Sequence, residues 1–454
     1  MHIYILGIAG TFMAGIARLA KALGHQVSGV DDAIYPPMST QLEEDGIDIY
    51  QGYDAAHFAA VKPDIVIVGN AMRRGYVEVE AMLAQNIKFI SAPQWLYENL
   101  LFNRHVLAIS GTHGKTTTTN MLALILTFAK KNPGYLIGGV PKLLPGSAVL
   151  GDSPYFVIEA DEYDTAFFDK RSKFMHYHPK TLLINNLEFD HADIFENLQD
   201  IQKQFHYLIR LVPNSGKIIY AFDDENIRDT LKMGCWTPTE TVGLNQGDWS
   251  AKNIKADGSA FTMCYQGKEL GQVTWNILGL HNVQNALGAA ACAHQAQVAS
   301  HDIISALESF ELPARRMEIK GVVNNITIYD DFAHHPTAMK TTLAGLRARV
   351  GEHARILVCL EMRSYTMRTN VHGAKIIESL LAANQIFIKK PEEINLEELQ
   401  QMATLHPDCR VFVNTDELIK NVSTQAKPGD HILIMSNGAF DGIYGKLQNV
   451  LGNT

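Results

Sequence analysis

Gly111-Thr112-His113-Gly114-Lys115-Thr116-Thr117 follows the apolar run Val106-Leu107-Ala108-Ile109-Ser110 and precedes a stretch whose periodicity predicts a helix over 117–130. A glycine-rich turn between a strand and a helix offers bare backbone N–H groups and a positive helix end to an anion. Lys115 is placed to reach the outer phosphates of a nucleoside triphosphate, and the Thr116 hydroxyl to hold a metal ion bound to them. The spacing departs from the general phosphate-loop pattern, because Ile109 stands where its first glycine should be. The segment still reads as an ATP or GTP site. Lys115 is expected to make no core contact, so its loss should leave the fold intact.

Other candidate groups fall at the ends of predicted strands. Glu159-Ala160-Asp161-Glu162-Tyr163-Asp164 is one such segment, and Asn185-Asn186-Leu187-Glu188-Phe189-Asp190-His191 is another. In a parallel sheet the carboxyl ends share one edge, so these acids and His191 should converge on the triphosphate. Carboxylate, hydroxyl and phosphate oxygens suit magnesium, although a solvated acidic loop is the competing reading for 159–164. Asn282 and Asn285 share one face of a helix opened by Gly279-Leu280-His281. Their amides could bond an adenine edge, and Asn282 could cap the helix. Arg315-Arg316 follows Pro313 at a seam, where a guanidinium could reach a γ-phosphate after domain closure. Tyr329-Asp330-Asp331-Phe332-Ala333-His334-His335-Pro336-Thr337 is a further strand end leading into a helix started by proline. Without cysteine or a third spaced histidine, its histidine pair argues against zinc. His176 and His178 alternate along what reads as an extended stretch and look like ordinary polar positions.

At the N-terminus, Gly7-Ile8-Ala9-Gly10 with Gly15 lies between the first strand and helix, where a Rossmann-like unit puts a diphosphate. The dinucleotide fingerprint fails, since Ala9 replaces its second glycine and Phe12 stands near the third. A structural tight turn and a nucleotide diphosphate other than NAD both stay open. Asp31 or Asp32 ends the second strand, about where an acid would meet a ribose or base.

The elements that must position these groups alternate. Strands are expected at 3–6, 26–30, 65–69 and 88–91 with helices at 13–23, 77–85 and 93–101, a pattern that means a parallel sheet with crossover helices. Buried strands follow at 155–160 and 181–186, then short β patterns over 217–275 and a helix at 282–296. Strands at 326–329, 356–360, 385–388, 410–413 and 431–435 close the chain, each followed by a helical stretch. A length of 454 residues exceeds one ordinary core and fits about three domains. Seams near 102–104 and 312–315 divide the chain into 1–103, 104–313 and 314–454. The net charge of −9 and the lack of a basic stripe exclude nucleic acid as a main partner. Five cysteines, widely spaced and in no Cys-x-x-Cys pair, fit a reducing cytoplasm. With no signal peptide and no bilayer-length apolar run, a soluble cytoplasmic protein without a membrane partner is expected.

Taken in order, Gly-Thr-His-Gly-Lys-Thr-Thr, Glu-Ala-Asp-Glu, Asp-His, Gly-x-His-Asn-x-x-Asn, Arg-Arg and Asp-Asp-x-x-His-His-Pro-Thr resemble the Mur ligase family, the ATP-dependent amide ligases of peptidoglycan assembly. The resemblance implies an α/β fold of three domains: a Rossmann-like UDP-binding domain, a central P-loop ATPase-like domain with a parallel sheet and a small β portion, and a C-terminal Rossmann-like domain. It implies ATP and Mg2+, with UDP-N-acetylmuramate as the acid. The segments 162–174, 187–195 and 202–205 are similar to the branch that accepts the recycled murein tripeptide L-alanyl-γ-D-glutamyl-meso-diaminopimelate, the alternative amine being L-alanine.

By the same resemblance, Lys115, His191 and Arg316 are catalytic, and Thr116, Glu159 and His191 hold metal. Gly111 to Thr117, Asn282, Asn285, Arg316, Asp331 and His334 bind ATP. Gly7, Ala9, Gly10, Gly15, Asp31 and Asn70 bind the UDP substrate, and Arg363 grips a peptide carboxylate, with Arg171 and Lys173 as weaker candidates that a solvated surface role suits at least as well. Several relatives carry a carbamylated lysine after the Asp-His motif. Here His206 falls near that position and Lys203 is a weak counterpart. Outside the ligase class, a P-loop ATPase or switch would hydrolyse nucleotide without acid or amine.

Overall fold

Short runs rich in valine, isoleucine and leucine, buried on both faces, become the strands of three main sheets. The computed structural model describes residues 1–452. The first sheet has the strand order Asp48–Gln51, Gln26–Asp31, His2–Leu6, Ile65–Val68, Phe89–Ser91, all parallel. The short, half-exposed strand Asp48–Gln51 was absent from the pattern reading. Helices Thr11–Ala22 and Val77–Ala84 cross over between these strands.

The central sheet has ten strands. Its parallel heart is Thr239–Val242, Lys217–Ala221, Thr181–Ile184, His105–Ser110, Tyr155–Glu159 and Gly134–Leu136. Trp249–Lys252 adds to one end parallel to Thr239–Val242, Ala260–Tyr265 and Lys268–Thr274 follow it antiparallel as the small β portion, and Ala148–Val149 pairs antiparallel at the other end. Helices Lys115–Phe128 and Leu280–Gln295 pack together on this sheet through Met121, Ile125, Val283, Ala286 and Ala290. The third sheet runs Glu318–Val323, Ile326–Asp331, His431–Met435, Ile356–Glu361, Gln385–Lys389, Cys409–Phe412, parallel except for its first, edge strand. No helix is long and apolar enough to cross a membrane, among the described residues.

Among the contacts that tie the first sheet to the second, two stand out. A Cβ built on Gly15, buried in the helix Thr11–Ala22, would come within 2.2 Å of Leu136 Cδ1. Gly15 therefore serves close helix-to-sheet packing. The hairpin Asp164–Ala166 with Asp169–Ser172 carries Phe168 against Phe89 of the first sheet, ring centroids 5.0 Å apart. Past this hairpin the chain forms a short 3-10 turn, Lys173–His176, where an extended stretch was expected. His176 bonds Asp169 at 3.0 Å and His178 stacks on Tyr97.

Candidate active site

The phosphate loop takes the shape its glycines permit. Gly111 and Gly114 have φ of 125° and 80°, and Gly114 ends the turn as the residue before the helix Lys115–Phe128. The loop is braced from the neighbouring strand end. Asn186 accepts the His113 N–H through Oδ1 at 2.7 Å and the Thr112 N–H through its carbonyl at 3.2 Å. These two donors are occupied, so the N–H groups of the first helical turn are the ones left for an anion. Asn285 also braces the loop: a Cβ on Gly114 would lie 2.5 Å from its Oδ1, and its Nδ2 bonds Asn282 Oδ1. Asn282 in turn donates to the Leu278 carbonyl at 2.7 Å. Both asparagines are buried and turned to the loop and the helix start.

A charge cluster surrounds Lys115. Its ammonium donates to the Gly111 carbonyl at 2.6 Å and pairs with Glu162 at 3.1 Å, with Asp161 at 4.0 Å. Glu162 also meets His191 Nε2 at 2.9 Å. Burial alone would discharge all three groups. Glu162 and Asp161 nevertheless raise the Lys115 ammonium above its ordinary range, Lys115 and His191 hold Glu162 below the usual carboxylate range, and Glu162 raises His191. His191 sits at φ 58°, a left-handed backbone that is costly outside glycine and is held here at a site.

Thr116 Oγ1 donates to Glu159 Oε1 at 3.0 Å, and the Gly138 N–H donates to Glu159 Oε2 at 2.9 Å. Burial raises Glu159 above the ordinary carboxylate value, with Lys115 only partly offsetting it. A buried carboxylate short of countercharge beside a hydroxyl suits a hard cation. One ligand atom from each of Asp161, Glu162 and His191 also lies within 4.8 Å of the others. The oxygen-rich donor set fits magnesium, but His191 stands with Glu162 rather than with Glu159.

A second group closes the third domain onto the loop. His113 Nε2 meets Glu188 Oε2 at 3.0 Å, and Thr337 Oγ1 donates to Glu188 Oε1 at 3.1 Å. His335 Nδ1 lies 3.4 Å from Glu188, and the His335 ring is 4.5 Å from both His113 and His372. Further histidines do therefore assemble near the His334-His335 pair, contrary to the sequence reading. Yet His335 Nδ1 already accepts the Thr337 N–H at the helix start, so the group is a hydrogen-bonded latch. Thr366 donates to Asp190 Oδ1 at 3.1 Å from the same domain.

The remaining expected residues separate. His334 is half-buried, bonded through Nδ1 to the Phe332 carbonyl, and pushed down to about 4 by desolvation. Arg316 lies over the Phe332 ring at 5.2 Å. Asp331 accepts the Met317 and Ala333 N–H groups at 2.8 and 2.9 Å, which fastens the 315–317 segment to the end of its strand. In the first sheet, Asp31 accepts from Ala9 N at 3.0 Å and Ala33 N at 3.1 Å, holding the glycine turn. Gly7 has φ 80°, and Gly7, Gly10 and the exposed Asn70 stand at that sheet's carboxyl edge. Arg363 is exposed beyond Ile356–Glu361, its side chain lying against Gly438, with no ion-pair partner among the described residues. Lys203 is exposed, and His206 faces Trp236 on the helix Leu198–Ile209, so neither joins the charge cluster.

Glu162, Asn186 and Glu188 fall among the strand-end acids and amides noted in the sequence, but residue type and spacing give none of them an individual role. Each lies inside a motif already noted, and only strand neighbourhood distinguishes it from the acids and amides beside it.

Three family descriptions match: "Mur ligase family, catalytic domain" over 2–104, "Mur ligase middle domain" over 109–293, and "Mur ligase, glutamate ligase domain" over 315–438. The chain is 50% identical over 451 residues, 99% of its length and 98% of the other's, to the UDP-N-acetylmuramate–L-alanyl-γ-D-glutamyl-meso-2,6-diaminoheptandioate ligase of Escherichia coli K12. It is 31% identical, covering 96% of this chain and 95% of the other, to the UDP-N-acetylmuramate–L-alanine ligase of Clostridium tetani. Among solved structures, a murein peptide ligase from Psychrobacter arcticus 273-4 matches with TM-score 0.78 and 45% identity, covering 100% of this chain and 99% of that one.

Proposed function

The chain belongs to the Mur ligase family, and from that premise we propose that it joins UDP-N-acetylmuramate to L-alanyl-γ-D-glutamyl-meso-diaminopimelate at the expense of ATP. The observation that carries the reading is the phosphate loop whose Lys115 and Thr116 are ringed by Glu159, Glu162 and His191. That arrangement supports phosphoryl transfer. Identity of 50% over nearly the whole chain to a tripeptide ligase, against 31% to an alanine ligase, supports the choice of amine.

An oxygen of the muramoyl carboxylate attacks the γ-phosphorus, the bond to the β-phosphate oxygen breaks, and ADP leaves. The peptide amine then attacks the acyl carbon, loses a proton, and expels inorganic phosphate. Both steps depend on positioning and charge neutralisation more than on covalent help from the protein. Lys115 holds the outer phosphates, and the first turn of Lys115–Phe128 receives the others. Thr116 and Glu159, with Asp161, Glu162 and His191 beside them, would hold magnesium, which when bound neutralises charge on the transferring phosphoryl group. Gly7 and Gly10 let the first sheet's turn approach the UDP diphosphate, and Arg316 acts from the hinge. Thr337 and Thr366, bonded to Glu188 and Asp190, hold the third domain over the acyl phosphate and keep water from it.

ADP release should require UDP-N-acetylmuramate and an amine together, and be fast with the tripeptide and slow with L-alanine. Fast turnover with L-alanine and little with the tripeptide would assign the chain to the alanine-adding reaction. Nucleotide hydrolysis indifferent to both would remove it from the ligases.

A further inference from the structure

Lys173 follows the hairpin 164–172 in a run, Lys-Arg-Ser-Lys, that reads locally as solvated charge. Its neighbours behave that way: Lys170 and Arg171 are exposed and pair with Asp164 and Asp169. Lys173 does not. Its side chain is only 9% exposed, and its ammonium lies 5.3 Å over the ring of Phe12 and 5.6 Å over that of Tyr163. Phe12 opens the helix directly after the glycine turn Gly7–Gly10, so Lys173 reaches from the central domain to the edge of the first sheet.

The ammonium is short of acceptors. One donor reaches Asp161 Oδ2 at 3.4 Å, and no other hydrogen-bond acceptor meets it among the described residues. Burying a cation with one long contact is unfavourable unless an anion completes the site. Asp161 stands between two lysines, with its other oxygen 4.0 Å from Lys115. One side of Asp161 thus faces the ammonium that serves the phosphate loop, and the other faces the ammonium beside the first glycine turn. An acid bound at that turn and entering between them would be aimed at a phosphoryl group held by Lys115.

We propose that Lys173 binds the carboxylate of the acid substrate, and that Asp161 partners it until the substrate arrives. This rests on the reading that the first glycine turn holds a UDP-linked sugar acid. The Phe12 and Tyr163 rings leave the ammonium attracted but not satisfied, and the hairpin anchored by Phe168 on Phe89 fixes its place relative to the first sheet.

The test compares UDP-N-acetylmuramate with UDP-N-acetylglucosamine, which lacks the lactyl carboxylate, in binding to the full-length protein. The wild type should prefer the acid. Lys173→Met keeps the length and the contacts with the rings, and should reduce that preference about ten- to hundredfold, the range for a hydrogen bond to a charged group. Affinity for the neutral sugar should hardly change. Lys173→Arg should retain most of the preference, and it supplies the same comparison if the methionine variant fails to fold. A merely structural lysine would weaken both ligands equally. Undiminished preference in Lys173→Met, or loss of it in a folded Lys173→Arg equal to that in Lys173→Met, overturns the assignment. If the wild type itself shows no preference and releases no ADP with the acid and an amine, the reading of the whole site fails instead.

Discussion

Two glycine turns occupy the same place in two sheets, each between a parallel strand and the helix after it, and they differ in almost everything else. At the first, Gly7 has φ 80°, the Ala9 N–H is held by Asp31, and a Cβ on Gly10 would meet only the Gly7 carbonyl at 3.7 Å. At the second, Gly114 also has φ 80°, but a Cβ there would meet Asn285 at 2.5 Å, and Lys115 and Thr116 are bonded to Glu162 and Glu159. The backbone device is shared. What differs is the set of side chains that neighbouring strand ends bring to it. The first turn is open and supplies backbone for holding a ligand, whereas the second is braced and charged for reaction.

The largest effect that would test this contrast comes from Lys115. Lys115→Ala should lower kcat by about a thousandfold, the scale seen when a group stabilising transition-state charge is removed. The sequence suggested that the fold would be indifferent. Its burial against Glu162 indicates otherwise, since an uncompensated buried carboxylate remains, and removing one partner of a buried pair costs about 3 kcal/mol. A thermal midpoint equal to the wild type's would show that the braced character of the second turn is overstated.

A matched pair of glycine substitutions sharpens the comparison. Gly114→Ala forces a side chain into left-handed backbone and against Asn285, and should cost about 1–3 kcal/mol of stability along with ATP affinity. Gly10→Ala has φ −65° and room, so its stability should stay near wild type. It should raise the Michaelis constant for the UDP substrate alone, because the new methyl group stands where a diphosphate would approach. Equal losses of ATP affinity in both variants would mean the two turns do not serve separate ligands.

How far these differences could be read beforehand depends on how local their causes are. Gly111 to Thr117 announces itself because every functional atom lies within seven consecutive residues. The parallel alternation was similarly legible in runs such as Ile356–Glu361 and His431–Met435, buried on both faces. The packing role of Gly15 was less legible, because a glycine in a helix after a glycine turn looks like part of the turn, and only the approach of Leu136 reveals the packing need. The contacts of Asn285 and Asp331 were hard to read in another way. Their polarity was recognised, but buried amides and carboxylates are often occupied by nearby backbone, and which backbone is a property of the tertiary fold. Lys173 is noted in the sequence only as a weaker candidate for the converse reason: a lysine in a charged run is ordinarily solvated, and its burial comes from a domain contact more than a hundred residues away in sequence.

The smallest expected effect lies farthest from both turns. Arg363→Ala should raise the Michaelis constant for the tripeptide about tenfold by removing a two-bonded grip on a carboxylate, and leave that for ATP unchanged. An unchanged tripeptide constant would return Arg363 to the solvated surface.

The contrast between a holding turn and a reacting turn has one direct chemical consequence. If the acid held at the first is activated by the phosphoryl group held at the second, a carboxylate oxygen must end on phosphate. UDP-N-acetylmuramate labelled with oxygen-18 in both lactyl carboxylate oxygens, turned over with ATP and the tripeptide, should give inorganic phosphate carrying one labelled oxygen per amide formed. Phosphate free of label, with amide formed at the normal rate, would contradict the transfer between the two turns.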